Sequence, residues 1–195
     1  MPKLSRSLVV LAAGAALLAA GFPAKTVPPE RFAKSICTTV TDWIDEIVEL
    51  GGDYDGQVGS TPDLDERKDL TIEFLDGALD STDTLIRRVK KAGKPDVDDG
   101  KAVVKVYRTG FRDARDVLEE AAAEAEDLRT GDEGEFQAAL AELGTAVEEG
   151  FADVGDAISR AEQDFDRELR AAFEDEPACA ELANVTGEVG GGGGA

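Results

Sequence analysis

Four stretches of the chain repeat apolar residues at steps of three and four. That step returns side chains to one face of an α-helix, whereas a strand would alternate them every second residue. The first stretch runs from Pro29 to Leu50 and carries Phe32, Ile36, Val40, Trp43, Ile47 and Leu50. Gly51-Gly52 is expected to end it, with a Gly- and Asp-rich loop over 51–60. The second is expected to open at Thr61-Pro62-Asp63, with Thr61 as N-cap and Pro62 in the first helical position. Its stripe is Thr71, Leu75, Ala78, Thr82, Leu85 and Val89, widened by Leu70, Phe74 and Leu79. Lys90 and Lys91 suit a helix C-terminus, Gly93 suits the residue after the cap, and Pro95 stops the chain.

The third stretch, from about Asp98 to Leu128, is the most regular. Val104, Tyr107, Phe111, Ala114, Leu118, Ala121, Ala125 and Leu128 step 3,4,3,4,3,4,3. That is a heptad seam, Ala-rich in its lower half, where a neighbour can approach closely. The fourth stretch reads as one helix from about Asp132 to Glu176, with a stutter at Leu143–Val147–Phe151. Gly150 and Gly155 flank the stutter, so a bend is expected there. Such a helix would be roughly 65 Å long and would overhang its partners. No stretch alternates with period two.

The N-terminus reads as a targeting segment. Lys3 and Arg6 precede a 13-residue apolar run, Leu8–Ala20, and Ala19-Ala20-Gly21 supplies small residues for cleavage near Phe22. The run is short for a membrane span, although an uncleaved anchor is the rival reading. Residues 1–21 are therefore assigned to a signal peptide, 22–182 to one helical domain, and the Gly-rich 183–195 to a disordered tail.

Export bears on the two cysteines. Cys37 and Cys179 are the only ones, and an even count in an oxidising compartment reads as a disulfide, with two free thiols as the alternative. Short loops between consecutive helices favour antiparallel neighbours. With four such helices the early Cys37 and the late Cys179 share one pole, and with an odd number they cannot meet. The expected fold is all-α: an antiparallel up-down four-helix bundle with its termini joined by a disulfide. A dimer of extended hairpins is the alternative.

Charge narrows the function. The chain has 42 acids against 21 bases, a formal net charge of −21, and the mature part is more acidic still. Such a surface repels nucleic acid and anionic lipid. There is no histidine, which excludes Ser-His-Asp and Cys-His catalysis and His-based zinc or di-iron sites. Asp53-Tyr54-Asp55-Gly56 and Asp96-Val97-Asp98-Asp99-Gly100 imitate the start of a calcium loop. Their glycines are misplaced, and the twelfth residue is Leu64 or Tyr107 where Glu is required. Each is expected to be an Asp/Gly turn with a helix cap. No metal and no cofactor is expected.

One stretch departs from the acidic background. Arg87, Arg88, Lys90, Lys91, Lys94, Lys101, Lys105 and Arg108 gather around the connection between the second and third helices. The first seven of them form a candidate anion-contact patch. Its expected counterpart is the acidic end of the fourth helix, Glu162 to Glu176, which would lie at the same pole and offset an unfavourable helix dipole. The aromatic residues, Trp43, Phe74 and Phe151 among them, are expected to be core.

Cys37 followed by Trp43, the stretch Phe74-Leu75 to Thr82-Asp83-Thr84-Leu85-Ile86, Lys90-Lys91-Ala92-Gly93-Lys94-Pro95, and Glu176-Pro177-Ala178-Cys179 together resemble small exported helical proteins of Actinobacteria. The resemblance spans most of the mature chain. It implies export and a Cys37–Cys179 bond, and it supplies no catalytic or binding residue. The resulting expectation is a non-enzymatic secreted or cell-envelope module. It would act by contact with an envelope protein or polymer, as a monomer or weak homodimer with no stable membrane span. The alternative is a carrier of a small apolar ligand between the helices. A dry core fits the first, and an interior void above roughly 300 Å³ fits the second.

Overall fold

The computed structural model describes residues 25–182, so the signal-peptide and tail assignments lie outside the described residues. The described chain is mostly helical, in the order β1 (Thr26–Val27), α1 (Pro29–Val58), α2 (Leu64–Lys91), β2 (Lys94–Pro95), α3 (Gly100–Glu126), α4 (Glu133–Glu162) and α5 (Arg167–Asp175). A last helical turn covers 177–182. Among the described residues no helix is long and apolar enough to cross a membrane.

Several boundaries differ from the sequence reading, each for a local reason. α1 does not stop at Gly51-Gly52 but continues through the supposed loop and its Asp53–Gly56 turn to Val58. Tyr54 holds this last part against α2: its ring lies 5.3 Å from that of Phe74 and its hydroxyl 3.1 Å from Thr71 Oγ1. Packing on a neighbour outweighs the helix cost of the glycines, about 1 kcal/mol each. α2 is capped by Asp63 rather than Thr61. The Asp63 carboxylate accepts from the amides of Asp65 and Glu66, while the Thr61 hydroxyl donates back to Gln57 O.

The long fourth helix is two. The chain leaves α4 after Glu162 and starts α5 at Arg167, with Asp166 accepting from the amide of Glu168. No break occurs at Gly150 or Gly155. A Cβ on Gly150 would sit 2.8 Å from both Val117 methyls, so this glycine allows α3 and α4 to approach closely. The break leaves α1, α2, α3 and α4 at 30, 28, 27 and 30 residues, and the expected overhang disappears.

The strands, missed by the periodicity, are two residues each and pair in parallel, Thr26 with Lys94 and Val27 with Pro95. They lay the start of the described chain over the α2–α3 connection. Gly93 adopts φ 93° there, and a Cβ on it would meet Lys25 O at 2.7 Å. This is the glycine expected just past the helix cap.

Consecutive helices pack on one another, α1 on α2, α2 on α3 and α3 on α4, and α5 returns to α1. Asp42 meets Arg88, Trp43 meets Thr82 and Tyr54 meets Thr71 between α1 and α2. Arg115 meets Asp83 between α2 and α3, and Tyr107 meets Glu162 between α3 and α4. Cys37 and Cys179 are bonded, with Cα atoms 5.0 Å apart. The bond does not join the chain's ends, as the sequence reading had it. It ties the interior of α1 to the turn that follows α5.

Two apolar clusters fill the interior. One lies near the disulfide and includes Phe32, Ile36, Leu85, Val89, Tyr107 and Leu169. The other lies towards the opposite end and includes Leu75, Leu118, Ala121, Ala125, Phe136 and Leu143.

Candidate functional site

The second cluster is incomplete. No residue of α1 beyond Thr39 is buried, and on α4 only Phe136 and Leu143 are. α1 and α4 are absent from the closely packed helix pairs, and a groove of about 510 Å³ lies between them. α1 contributes Trp43, Ile44, Ile47, Val48 and Tyr54 to it. α4 contributes Leu140, Leu143, Gly144, Val147 and Phe151 on the facing side. Phe74, Leu75 and Ala78 of α2 and Leu118 of α3 form the floor. The rings of Trp43 and Phe151, 6.0 Å apart, bridge the two lips, and Tyr54 stands further along α1.

The helices explain the opening. α4 leans on α3 through Gly150 against Val117 and through Gly110 of α3, where a Cβ would lie 2.6 Å from Ile158. Near the disulfide, α5 covers α1 instead, with Leu169 fully buried. Among the described residues no helix lies over α1 at the level of Ile47 as α5 does near the disulfide. Gly144 leaves open space in the α4 wall, since a Cβ there would meet nothing within 4 Å.

No acidic or basic side chain lines the groove. Its few polar atoms are nearly spent. Trp43 Nε1 donates to Thr82 Oγ1 at 3.1 Å. Thr71 Oγ1 donates to Arg67 O at 2.9 Å, and when that bond is made the 3.1 Å contact with Tyr54 has the phenol as donor.

The sequence reading expected a dry core, with Trp43, Phe74 and Phe151 inside it. The structure corrects this: all three are half-buried and line the groove. The signal was present at Gly144, which falls on the α4 stripe between Leu140 and Val147 and fills none of the space a larger residue would.

The basic residues occupy the end of α2 (Arg87, Arg88, Lys90, Lys91), β2 (Lys94) and the first turns of α3 (Lys101, Lys105). All are exposed except Lys94, which is half-buried. Arg88 pairs with Asp42 at 2.8 Å, and among the described residues no ion pair links this stretch to the acids of 162–176. Those acids have other partners. Glu162 Oε1 accepts from Tyr107 Oη at 2.6 Å, Asp166 caps α5, and Glu176 accepts from the Ala178 amide. The expected direct charge matching is therefore not made. Asp53 and Asp55 lie within α1, and among the described residues no cluster of acids or cysteines could hold a metal ion.

No protein-family model matches the chain, and neither a curated protein nor a solved structure matches it.

Proposed function

We propose that this chain is an exported, non-enzymatic helical module that binds a small apolar ligand in the groove between α1 and α4. In this reading the helices form an up-down antiparallel bundle that is closed near the disulfide and open at the other end. The residue pairs between neighbouring helices support that order, because numbers rise along one helix as they fall along the next. The observation that carries the ligand is the groove itself. Its volume, about 510 Å³, falls in the range of small-molecule sites, and its walls are aromatic and aliphatic. No Asp, Glu, Lys or Arg is among the lining residues, and the one titratable group there, the Tyr54 phenol, is engaged with Thr71, which supports binding over catalysis. The cysteine pair and the resemblance to exported actinobacterial proteins support an extracytoplasmic setting.

The test is a fluorescence titration with the neutral probe N-phenyl-1-naphthylamine. The native protein binds it saturably with one site. Gly144→Leu fills the groove from a position with free space and, as a better helix former, leaves the thermal melt unchanged or raised. That variant loses at least tenfold in probe affinity. Non-saturable binding, or equal affinity in native and variant proteins, overturns the proposal.

A further inference from the structure

The groove's hydrogen-bond inventory narrows the ligand. Trp43 has given its only proton to Thr82, and Thr71 has given its own to Arg67 O. With the Thr71 proton on Arg67 O, the 3.1 Å contact between the two hydroxyls takes the Tyr54 proton. What remains in the lining side chains is an acceptor, the lone pairs of Tyr54 Oη, with no free donor. A carboxylate, phosphate or ketone head would find nothing to accept from, and burying it unpaired is costly.

Charge points the same way. The stretches of α1 and α4 that form the lips, 41–58 and 133–155, contain no Lys or Arg. They carry exposed Asp45, Glu46, Glu49 and Asp53 on α1 and Glu148 and Glu149 on α4. These repel an anion entering the groove. They stand on the solvent side and do not line it, so they give an ammonium no partner inside. An ammonium has three protons to satisfy and finds one acceptor. A hydroxyl has one proton to give, and the count matches.

Resting on the ligand-binding reading above, we infer that the groove selects an uncharged apolar molecule with a single hydroxyl head, which donates to Tyr54 Oη while the body lies along Ile47, Phe74 and Val147.

The experiment is displacement of N-phenyl-1-naphthylamine by four competitors that share an unbranched ten-carbon chain: 1-decanol, its methyl ether, decylamine and decanoate. The ether has the same chain and an oxygen with no proton. Decanol displaces the probe about fivefold more tightly than the ether, the effect of one hydrogen bond of roughly 1 kcal/mol. Decanoate is the weakest. Tyr54→Phe abolishes the preference for decanol over the ether. The inference is overturned if the ether equals decanol, if decylamine or decanoate binds best, or if Tyr54→Phe keeps the preference. Failure of the probe to bind native protein sinks the groove reading as well. A bound probe with no head-group preference sinks this inference alone.

Discussion

Near the disulfide, Phe32, Ile36, Leu85, Val89 and Leu169 are almost wholly removed from solvent. At the other end, Ile47, Leu140 and Val147 face one another across a gap and stay half-exposed, and Val48 beside them is 60% exposed. The same type of stripe yields a sealed core in one place and an open groove in the other. The difference is the fifth helix. The chain breaks at 163–166, and α5 turns back onto α1, where the Cys37–Cys179 bond fixes the turn that follows it. Among the described residues nothing equivalent returns over the far half, and α4 lies close against α3 at Gly110 and Gly150. A bundle of nearly equal helices need not close everywhere. Where a stabilised half carries the fold, the other half is free to keep apolar surface open.

The largest expected effect comes from cutting the tie. Cys37 and Cys179 are 142 residues apart, and the chain-entropy model assigns such a loop about 5 kcal/mol, with real values often smaller. Replacing both with Ala lowers the thermal midpoint by about 10–15 °C at this chain length. Hydrogen exchange rises first in α5 and the start of α1, before α2 and α3. An unchanged midpoint, or loss of protection beginning around the groove, breaks the view that the disulfide half carries the fold.

A pair of truncations sharpens it. Leu85 is 1% exposed in the closed half, whereas Leu140 borders the groove. Leu85→Ala opens a cavity in packed surroundings and costs about 2–5 kcal/mol in urea unfolding. Leu140 already has space on one side, so Leu140→Ala costs less than about 1 kcal/mol. Equal losses at the two sites would mean that the groove is closed and packed in solution.

Much of this was legible in the residues. The stripes placed most of the core of α2 and α3, because Leu75, Leu85, Tyr107, Leu118 and Ala125 repeat without interruption, but at the start of α3 Val103 is buried and the expected Val104 only half-buried. Two cysteines at the two ends of the helical region pointed to a bond that the structure contains. What periodicity could not show was whether a stripe finds a partner. Phe136 and Phe151 occupy the same stripe of α4, yet one is fully buried and the other lines the groove. The run to Val58 was hidden by glycines that packing overrides. The break after Glu162 was hidden because the stripe continues through it, with Phe165 in the connection and Leu169 in α5 both buried.

The smallest effect concerns the seam between the sealed half and α4. Tyr107 is 3% exposed, sits among the rings of Phe32, Phe111, Phe165 and Phe173, and donates to Glu162. Burial first, then the adjacent Glu162 carboxylate, hold the phenol protonated far above its ordinary value of 10.0. The folded-state value is therefore higher than the unfolded one. The stability this linkage supplies is complete below pH 10 and falls as pH rises beyond it, since only the unfolded phenol then ionises. Tyr107→Phe loses one hydrogen bond to a charged acceptor and costs about 1–2 kcal/mol at neutral pH. Between pH 10 and 11 the native protein loses up to about 1.4 kcal/mol through this group, and the variant does not. Denaturant unfolding of the two proteins across that interval measures the difference. A gap that stays constant from pH 8 to 11 would show that water reaches Tyr107, and that the half described as sealed is open as well.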